Sequence, residues 1–176
     1  KGIEKGLREK AYYNYFIGND KTRLVNDVGA YHEATIFDLY NGIDLKLIEE
    51  EGSLKYEFHV KPHVQTDLIR LEYAGQQKIK INREGNLILE TKNGIIQEKK
   101  PYAYQIINGK IIEVKCNFIL QDNLVHFKLG EYNENFSLVI DPILIFATYC
   151  GSPTDNFGMT ATYGYDGTAY SAGTIY

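Results

Sequence analysis

The chain has 176 residues, 44% hydrophobic and 24% charged, with a formal net charge of −4. This balance excludes a disordered segment and gives no electrostatic footprint for nucleic acid. No apolar run approaches the ~18 residues of a membrane-spanning helix, and a chain this long buries enough surface to fold without a disulfide or a metal.

Lys1–Lys10 is charged and lacks the apolar core of a signal peptide, so the sequence reads as an interior part of a longer precursor. Ile3, Leu7 and Ala11 recur at a spacing of four, which predicts a short helix over Lys1–Ala11. From about residue 43 onward, period-2 alternation takes over. Ile43–Glu49 is expected as a strand, and Glu50-Glu51-Gly52 as its hairpin connection to Ser53–Lys61. In the latter, Leu54, Tyr56, Phe58 and Val60 face one way and Lys55, Glu57, His59 and Lys61 the other, the pattern of a half-buried antiparallel strand. A single helical turn is expected after Pro62, around Gln65–Leu68. Further strands are expected at Ile69–Ala74, Lys78–Asn82, Leu87–Lys92, Ile95–Lys99, Tyr102–Ile107, Lys110–Leu120, Leu124–Gly130 and Phe136–Asp141.

Asn93-Gly94 and Asn108-Gly109 carry the strongest hairpin chemistry, because a type I′ turn needs two residues at positive φ. Glu84-Gly85-Asn86 and Gln121-Asp122-Asn123 are longer turns of the same kind. Short strands so punctuated predict an all-β protein, an antiparallel sandwich or open barrel. Leu54, Tyr56, Phe58, Val60, Val114, Cys116, Phe118 and Val139 are expected in one core, with Cys116 as a small buried hydrophobe.

Composition changes near Pro142. Residues 143–176 contain no Lys or Arg and are rich in Gly, Thr, Ala and Tyr. They read as strand (Ile143–Tyr149), loop (Cys150–Gly158), strand (Met159–Tyr163), an Asp166-Gly167 turn and strand (Thr168–Gly173). A unit of roughly 30 residues buries no face of its own, and such units occur in stacked or radial arrays. Two domains are therefore expected: a sandwich-like domain over residues 1–142, and over residues 143–176 an incomplete β-propeller-type repeat.

An ordered series of segments carries a resemblance. Tyr13-Asn14-Tyr15-Phe16-Ile17-Gly18-Asn19-Asp20 is followed by Tyr40-Asn41-Gly42-Ile43-Asp44-Leu45 and Leu54-Lys55-Tyr56-Glu57-Phe58. Gly85-Asn86-Leu87, Lys100-Pro101-Tyr102-Ala103-Tyr104-Gln105 and Leu138-Val139-Ile140-Asp141-Pro142 come later. The series resembles the uncharacterised β-rich domain that precedes SBBP-type β-propeller repeats in large secreted or cell-surface bacterial proteins. Thr148-Tyr149-Cys150-Gly151-Ser152, Asp155-Asn156-Phe157-Gly158, Asp166-Gly167-Thr168-Ala169-Tyr170 and Gly173-Thr174 resemble the first such repeat. The resemblance implies secretion and display on the bacterial surface. It also implies contacts with downstream repeats or another chain, and in gliding-type bacteria a type IX secretion route.

Candidate chemistry is sparse. His59 and His63 have the i, i+4 spacing of a helical zinc pair, but His59 falls on a strand and Pro62 intervenes; His32 and His126 lie elsewhere. Asp38, Asp44 and Glu57 are the carboxylates to weigh for glycoside hydrolysis, against the plainer reading of capped turns and a polar sheet face. Gly151-Ser152-Pro153 lacks the second glycine of a nucleophile elbow. The Asp155-Asn156 loop and the Asp166-Gly167 turn offer oxygen ligands for calcium, although Asx side chains in turns commonly bond their own backbone. Fifteen tyrosines, clustered at Tyr12, Tyr13 and Tyr15 and at Tyr163, Tyr165, Tyr170 and Tyr176, read either as a glycan- or protein-binding face or as β-propensity and rim packing. No catalytic residue, cofactor or metal site is assigned. The expected function is a non-catalytic extracellular module for display, adhesion or assembly. A glycan-binding accessory domain of a polysaccharide-active enzyme and a mechanical spacer in a type IX secretion cargo are the alternatives. The expected partner is a surface glycan or protein, with no nucleic acid and no membrane insertion.

Overall fold

Strands dominate the backbone of the computed structural model, which describes residues 2–16, 24–50, 53–92, 94–145, 156–163 and 169–175. All pairings are antiparallel. The largest sheet has seven strands: β1 (Ile3–Lys5), β4 (Glu33–Tyr40), β5 (Ile43–Glu50), β6 (Ser53–Val60), β15 (Leu138–Asp141), β11 (Tyr102–Ile107) and β12 (Lys110–Val114), in that spatial order. A four-stranded sheet runs β16 (Leu144–Ile145), β10 (Gly94–Glu98), β9 (Leu87–Thr91) and β8 (Lys78–Ile81). A three-stranded sheet runs β13 (Cys116–Gln121), β14 (Leu124–Leu129) and β7 (Leu71–Glu72). Two hairpins, β2 (Arg8–Phe16) with β3 (Leu24–Tyr31) and β17 (Asn156–Tyr163) with β18 (Ala169–Ile175), form separate two-stranded ribbons. Among the described strands no sheet closes on itself.

The turns form for the reasons their residues suggest. Asn108 and Gly109 sit at φ 51° and 76°, and Asp122 and Asn123 at 51° and 64°, so both hairpins close with two consecutive left-handed residues. Thr66–Leu68 is a single 3-10 turn, as the sequence after Pro62 predicts. Residues 51, 52 and 93 of the other hairpin turns lie outside the described residues.

The N-terminal helix is corrected to strands. Gly2 and Gly6 weaken any helix there, and the predicted apolar stripe has nothing to bury it: Ile3 is 65% and Leu7 87% exposed. The backbone pairs with β4 instead, through Gly6 N–H to Glu33 O at 2.9 Å and Phe37 N–H to Gly2 O at 3.0 Å. Strands β3 and β4 carry no clean alternation. Asn26, Asp27 and Gly29 are poor strand formers, and β4 is broken by a register shift between Ile36 and Tyr40 with Asp38 at φ 47°.

The expected single strand Lys110–Leu120 is two. The chain leaves the seven-stranded sheet at Lys115 and enters the three-stranded sheet as β13, while Val114, Cys116 and Phe118 stay buried. A strand that changes sheet without changing its inward phase turns a corner of the core. Gly130 secures the corner: its N–H reaches Lys115 O at 2.7 Å, and a Cβ there would stand 3.1 Å from Lys115 Cβ. Beyond Pro142 the backbone still belongs to this assembly, since Leu144 and Ile145 pair with Glu98 and Gln97. Asn156–Gly158, expected within a loop, begins β17. Cys150 and the rest of residues 146–155, with 164–168, lie outside the described residues.

One hydrophobic cluster joins the three larger sheets. Phe58 from β6 meets Phe127 from β14 edge-on, with ring centroids 5.8 Å apart, and Phe127 meets Phe118 at 5.6 Å. Phe58, Val60, Val114, Cys116 and Phe118 are buried, and Tyr56 packs against them. Burial pushes the Cys116 thiol up to about 12, the behaviour of an inert core cysteine. Two expected core residues are corrected. Leu54 is 49% exposed, because β15 pairs with β6 only from Phe58 to Val60 and the N-terminal end of β6 overhangs. Val139 faces outward opposite His59, while Leu138 and Ile140 point in. That strand is apolar at three successive positions, so alternation carries no phase and the register to β6 decides it.

Glu98 ties the three sheets together. It is 2% exposed on β10; Tyr56 Oη, from β6, donates to its Oε2 at 2.9 Å, and Tyr73 Oη, directly after β7, to its Oε1 at 2.7 Å. Burial lifts the Glu98 carboxyl above its ordinary value of 4.5, and the two hydroxyls offset this only in part. Burial and the Glu98 charge raise both tyrosines.

Two outcomes follow from this packing. Phe58→Ala costs about 3–5 kcal/mol in urea unfolding and Leu54→Ala less than about 1 kcal/mol, since only the first opens a core cavity; equal losses would refute the observed phase of β6. A carboxyl raised in the folded state gives stability that is complete below pH 4.5 and lost as pH rises through the folded value. Glu98→Gln, measured by urea midpoints from acid to neutral pH, therefore gains on the wild type as pH rises through that window. Parallel curves would show that Glu98 is not strained by burial.

Candidate functional site

The seven-stranded sheet turns one face to the core and the other to solvent, and the outward phase is fixed by register. Asp44 opposite His59, Lys46 opposite Glu57, His59 opposite Val139, Val139 opposite Tyr104 and Tyr102 opposite Asp141 place these side chains on one continuous surface across β5, β6, β15 and β11.

The middle of the surface is a partly buried ion network. Lys55 Nζ lies 2.9 Å from Asp141 Oδ2 and 3.4 Å from Glu57 Oε1, and His59 Nε2 lies 2.9 Å from Glu57 Oε2. The hydrogen bond with His59, with the charge of Lys55, holds the Glu57 carboxyl below its ordinary range against the pull of burial. Burial opposes the Lys55 ammonium, yet Asp141 and Glu57 together hold its proton more tightly than usual. Asp141 goes the other way. Burial lifts its carboxyl and Lys55 recovers only part of the shift. Its Oδ1 is buried and accepts no hydrogen bond. Tyr102 and Tyr104 stand beside the network with ring planes 28° apart and centroids at 5.6 Å. Burial, then the charges of Glu57 and Asp141, raise the Tyr104 hydroxyl.

Two grooves open on this surface and meet at His59. One, of about 270 Å³, is bounded by Glu4, Glu33, Asp44 and Lys46 with Thr35 and Phe37. The other, of about 450 Å³, has apolar walls from Pro62, Tyr104, Ile106, Phe136 and Val139, with Asn135 and Ser137 at its rim. The wall over residues 133–137 is held by a residue that never touches the groove. Gln105, 2% exposed, donates through Nε2 to Asn133 O at 2.8 Å and Phe136 O at 3.1 Å. Its Oε1 accepts from Asn133 N–H at 2.9 Å.

Of the carboxylates weighed from sequence, Glu57 alone enters this network. Asp38 and Asp44 close the β4–β5 turn. Asp44 Oδ1 accepts from Asp38 N–H at 2.8 Å, and Asp38 Oδ1 accepts from Gly42 N–H at 3.2 Å and Lys61 Nζ at 3.0 Å. Asp44 also reaches the first groove. The histidines are dispersed. His63 occupies a turn at φ 62° and is not joined to His59 as a ligand pair. His126 borders a separate depression with Arg70 and Asp122. His32 lies between Glu49 and Glu9, whose carboxylates raise its pKa, the hydrogen bond with Glu49 most of all. Among the described residues no group of three or more His, Cys, Asp or Glu is placed to hold a metal. Ser152 and the candidate calcium ligands Asp155 and Asp166 lie outside the described residues, as do the side chains of Tyr163 and Tyr170, and Tyr165 and Tyr176 altogether. Tyr12, Tyr13 and Tyr15 are exposed on β2, apart from the grooves. Sequence reasoning missed Asp141, Tyr102, Tyr104 and Gln105 as site residues. Their only signal is polar residues set among apolar ones in β11 and β15.

Residues 2–143 match the model of a family described as a domain of unknown function, DUF7948. The chain belongs to this family. No curated protein and no solved structure matches the DUF7948 chain. Among its described residues no helix is long and apolar enough to cross a membrane.

Gln105→Ala removes the Gln105 bonds of Asn133 N–H and Phe136 O, while Asn133 O keeps the Phe136 N–H at 3.1 Å, and costs about 1–3 kcal/mol. Amide exchange at Asn133 should rise well beyond what the global loss of stability explains. Unchanged protection at Asn133 would show that the wall holds itself.

Proposed function

We propose that this DUF7948 chain is a non-catalytic extracellular module of a large bacterial cell-surface protein, serving display, adhesion or assembly through the outer face of its seven-stranded sheet. In this reading the seven-stranded sheet is one layer of a sandwich-like domain and the two smaller sheets are the other. In the same reading residues 143–176 open a β-propeller-type repeat of the SBBP kind, joined to the first domain through the pairing of Leu144–Ile145 with β10. The observation that carries the reading is the pair of grooves meeting at His59 on a sheet face whose central charges are held in place. Glu57 and Lys55 keep their charges through mutual contacts, and Asp38 and Asp44 serve a turn. These are the roles of a rigid contact surface rather than of an acid–base pair tuned apart for turnover. The stacked Tyr102–Tyr104 pair adds aromatic contact area to this face at low entropy cost.

Intact cells of the source bacterium treated with an impermeant protease should release peptides of this chain. Added to isolated cell envelopes, the full chain should gain hydrogen-exchange protection over residues 55–59, 102–106 and 139–141. Peptides recovered only after lysis would remove the surface placement, and protection confined to other segments would remove the face.

A further inference from the structure

The charge of the outer sheet face is lopsided. Glu4, Glu33, Asp44 and Glu50 lie on it over β1, β4 and β5, and Glu57, Asp141 and Glu113 over β6, β15 and β12. Only Lys46 and Lys55 oppose them among the paired positions of this face. The resulting excess of five carboxylates exceeds the −4 of the whole chain. Glu33 is paired with Lys46, Asp44 with Lys61, and Glu57 and Asp141 with Lys55, and the charge left over makes the face net negative and attractive to cations.

The surroundings of Asp141 point to a cationic partner. Asp141 is 7% exposed, and its Oδ1 accepts no hydrogen bond although its Oδ2 is paired with Lys55. That oxygen is sealed from solvent, so it lies beneath the face and is not open to an outside donor. Tyr102 opposite it, stacked with Tyr104, adds aromatic faces that attract a cation. The second groove supplies the other half of the chemistry. Its walls are apolar, and Ile106, 59% exposed, continues them toward Ile111 at the sheet edge.

Resting on the reading of this face as the contact surface, we infer that its partner is an extended basic polypeptide, with lysine or arginine heads over the Glu4–Glu33–Asp44 groove and an apolar side chain in the Tyr104–Phe136 groove. A polypeptide joins both kinds of group at short spacing, whereas an amino-sugar chain supplies cations without the apolar anchor. Complementary charge steers the encounter and the anchor slows escape.

The test is fluorescence anisotropy on the full chain. The probe is a labelled oligolysine of about eight residues ending in phenylalanine, short enough that electrostatics and one anchor dominate. It should bind saturably, and about tenfold more weakly when salt is raised from about 50 to about 500 mM. Glu4→Gln with Glu33→Gln, both at exposed sites, should weaken it about tenfold, equivalent to 1.4 kcal/mol. Ile106→Ser should abolish the advantage over oligolysine without phenylalanine. Circular dichroism should confirm that each variant is folded. Equal binding of oligoglutamate, or no effect of the double variant, would overturn the inference. So would tighter binding of a chitosan oligomer, which would make the partner an amino-glycan. If the peptide fails while envelopes still protect residues 55–59, 102–106 and 139–141, the partner is wrong and the contact face stands. If both fail, the face itself is wrong.

Discussion

A single buried carboxylate sets the geometry on which the rest depends. Glu98 draws hydrogen bonds from Tyr56 on β6 and from Tyr73 beside β7, while its own strand lies in the four-stranded sheet. Placing a carboxylate there costs several kcal/mol unless its oxygens are satisfied. The three sheets are therefore held in the one arrangement that brings both hydroxyls to it. With Tyr56 pointing inward to meet Glu98 and Phe58 inward to meet Phe127, strand alternation leaves Lys55, Glu57 and His59 no direction but outward. The outer sheet face is thus the reverse side of the core, and a register slip in β6 would destroy both at once.

The surface is stiff for related reasons. Its centre is a partly buried ion network in which Glu57 and Asp141 are largely shielded, where a missing partner is more costly than at an exposed pair. Its groove wall is an irregular segment with its backbone groups bonded to Gln105 from below. A loop so held loses little entropy on binding, the condition under which modest grooves give useful affinity. His59 borders both grooves and belongs to the network.

Much of the fold is legible in the sequence, and its gaps have physical causes. Ser53–Lys61 announces itself because alternation is strict and one face is buried. Asn108-Gly109 does so because few residue pairs tolerate two left-handed positions. The strands over 24–40 do not, since a bulge at Asp38 shifts the phase and Gly29 and Asp27 lower the propensity. The N-terminal helix fails because a spacing of four matters only when something covers the stripe. The site is less legible than the fold. Glu57 could be placed on the outer face, but not its near burial, which comes from β15 and β11, far away in sequence. Asp141 and Tyr104 become neighbours only through pairing of strands more than thirty residues apart, and a single sequence has no local mark of such pairing.

The acidity of the outer face is the feature that the fold's own stability does not explain. Solubility would be served as well by charges of both signs interspersed, with less self-repulsion. The core constrains only the inward positions, so lysines at positions 4, 33 or 113 would leave it untouched. Local choices that oppose stability without a packing gain concentrate where a protein meets something else. Here the acidic excess coincides with a stacked aromatic pair and two grooves sharing one histidine. Packing would scatter such features among sheets and edges. A partner that must be attracted, oriented and then anchored would gather them on one face.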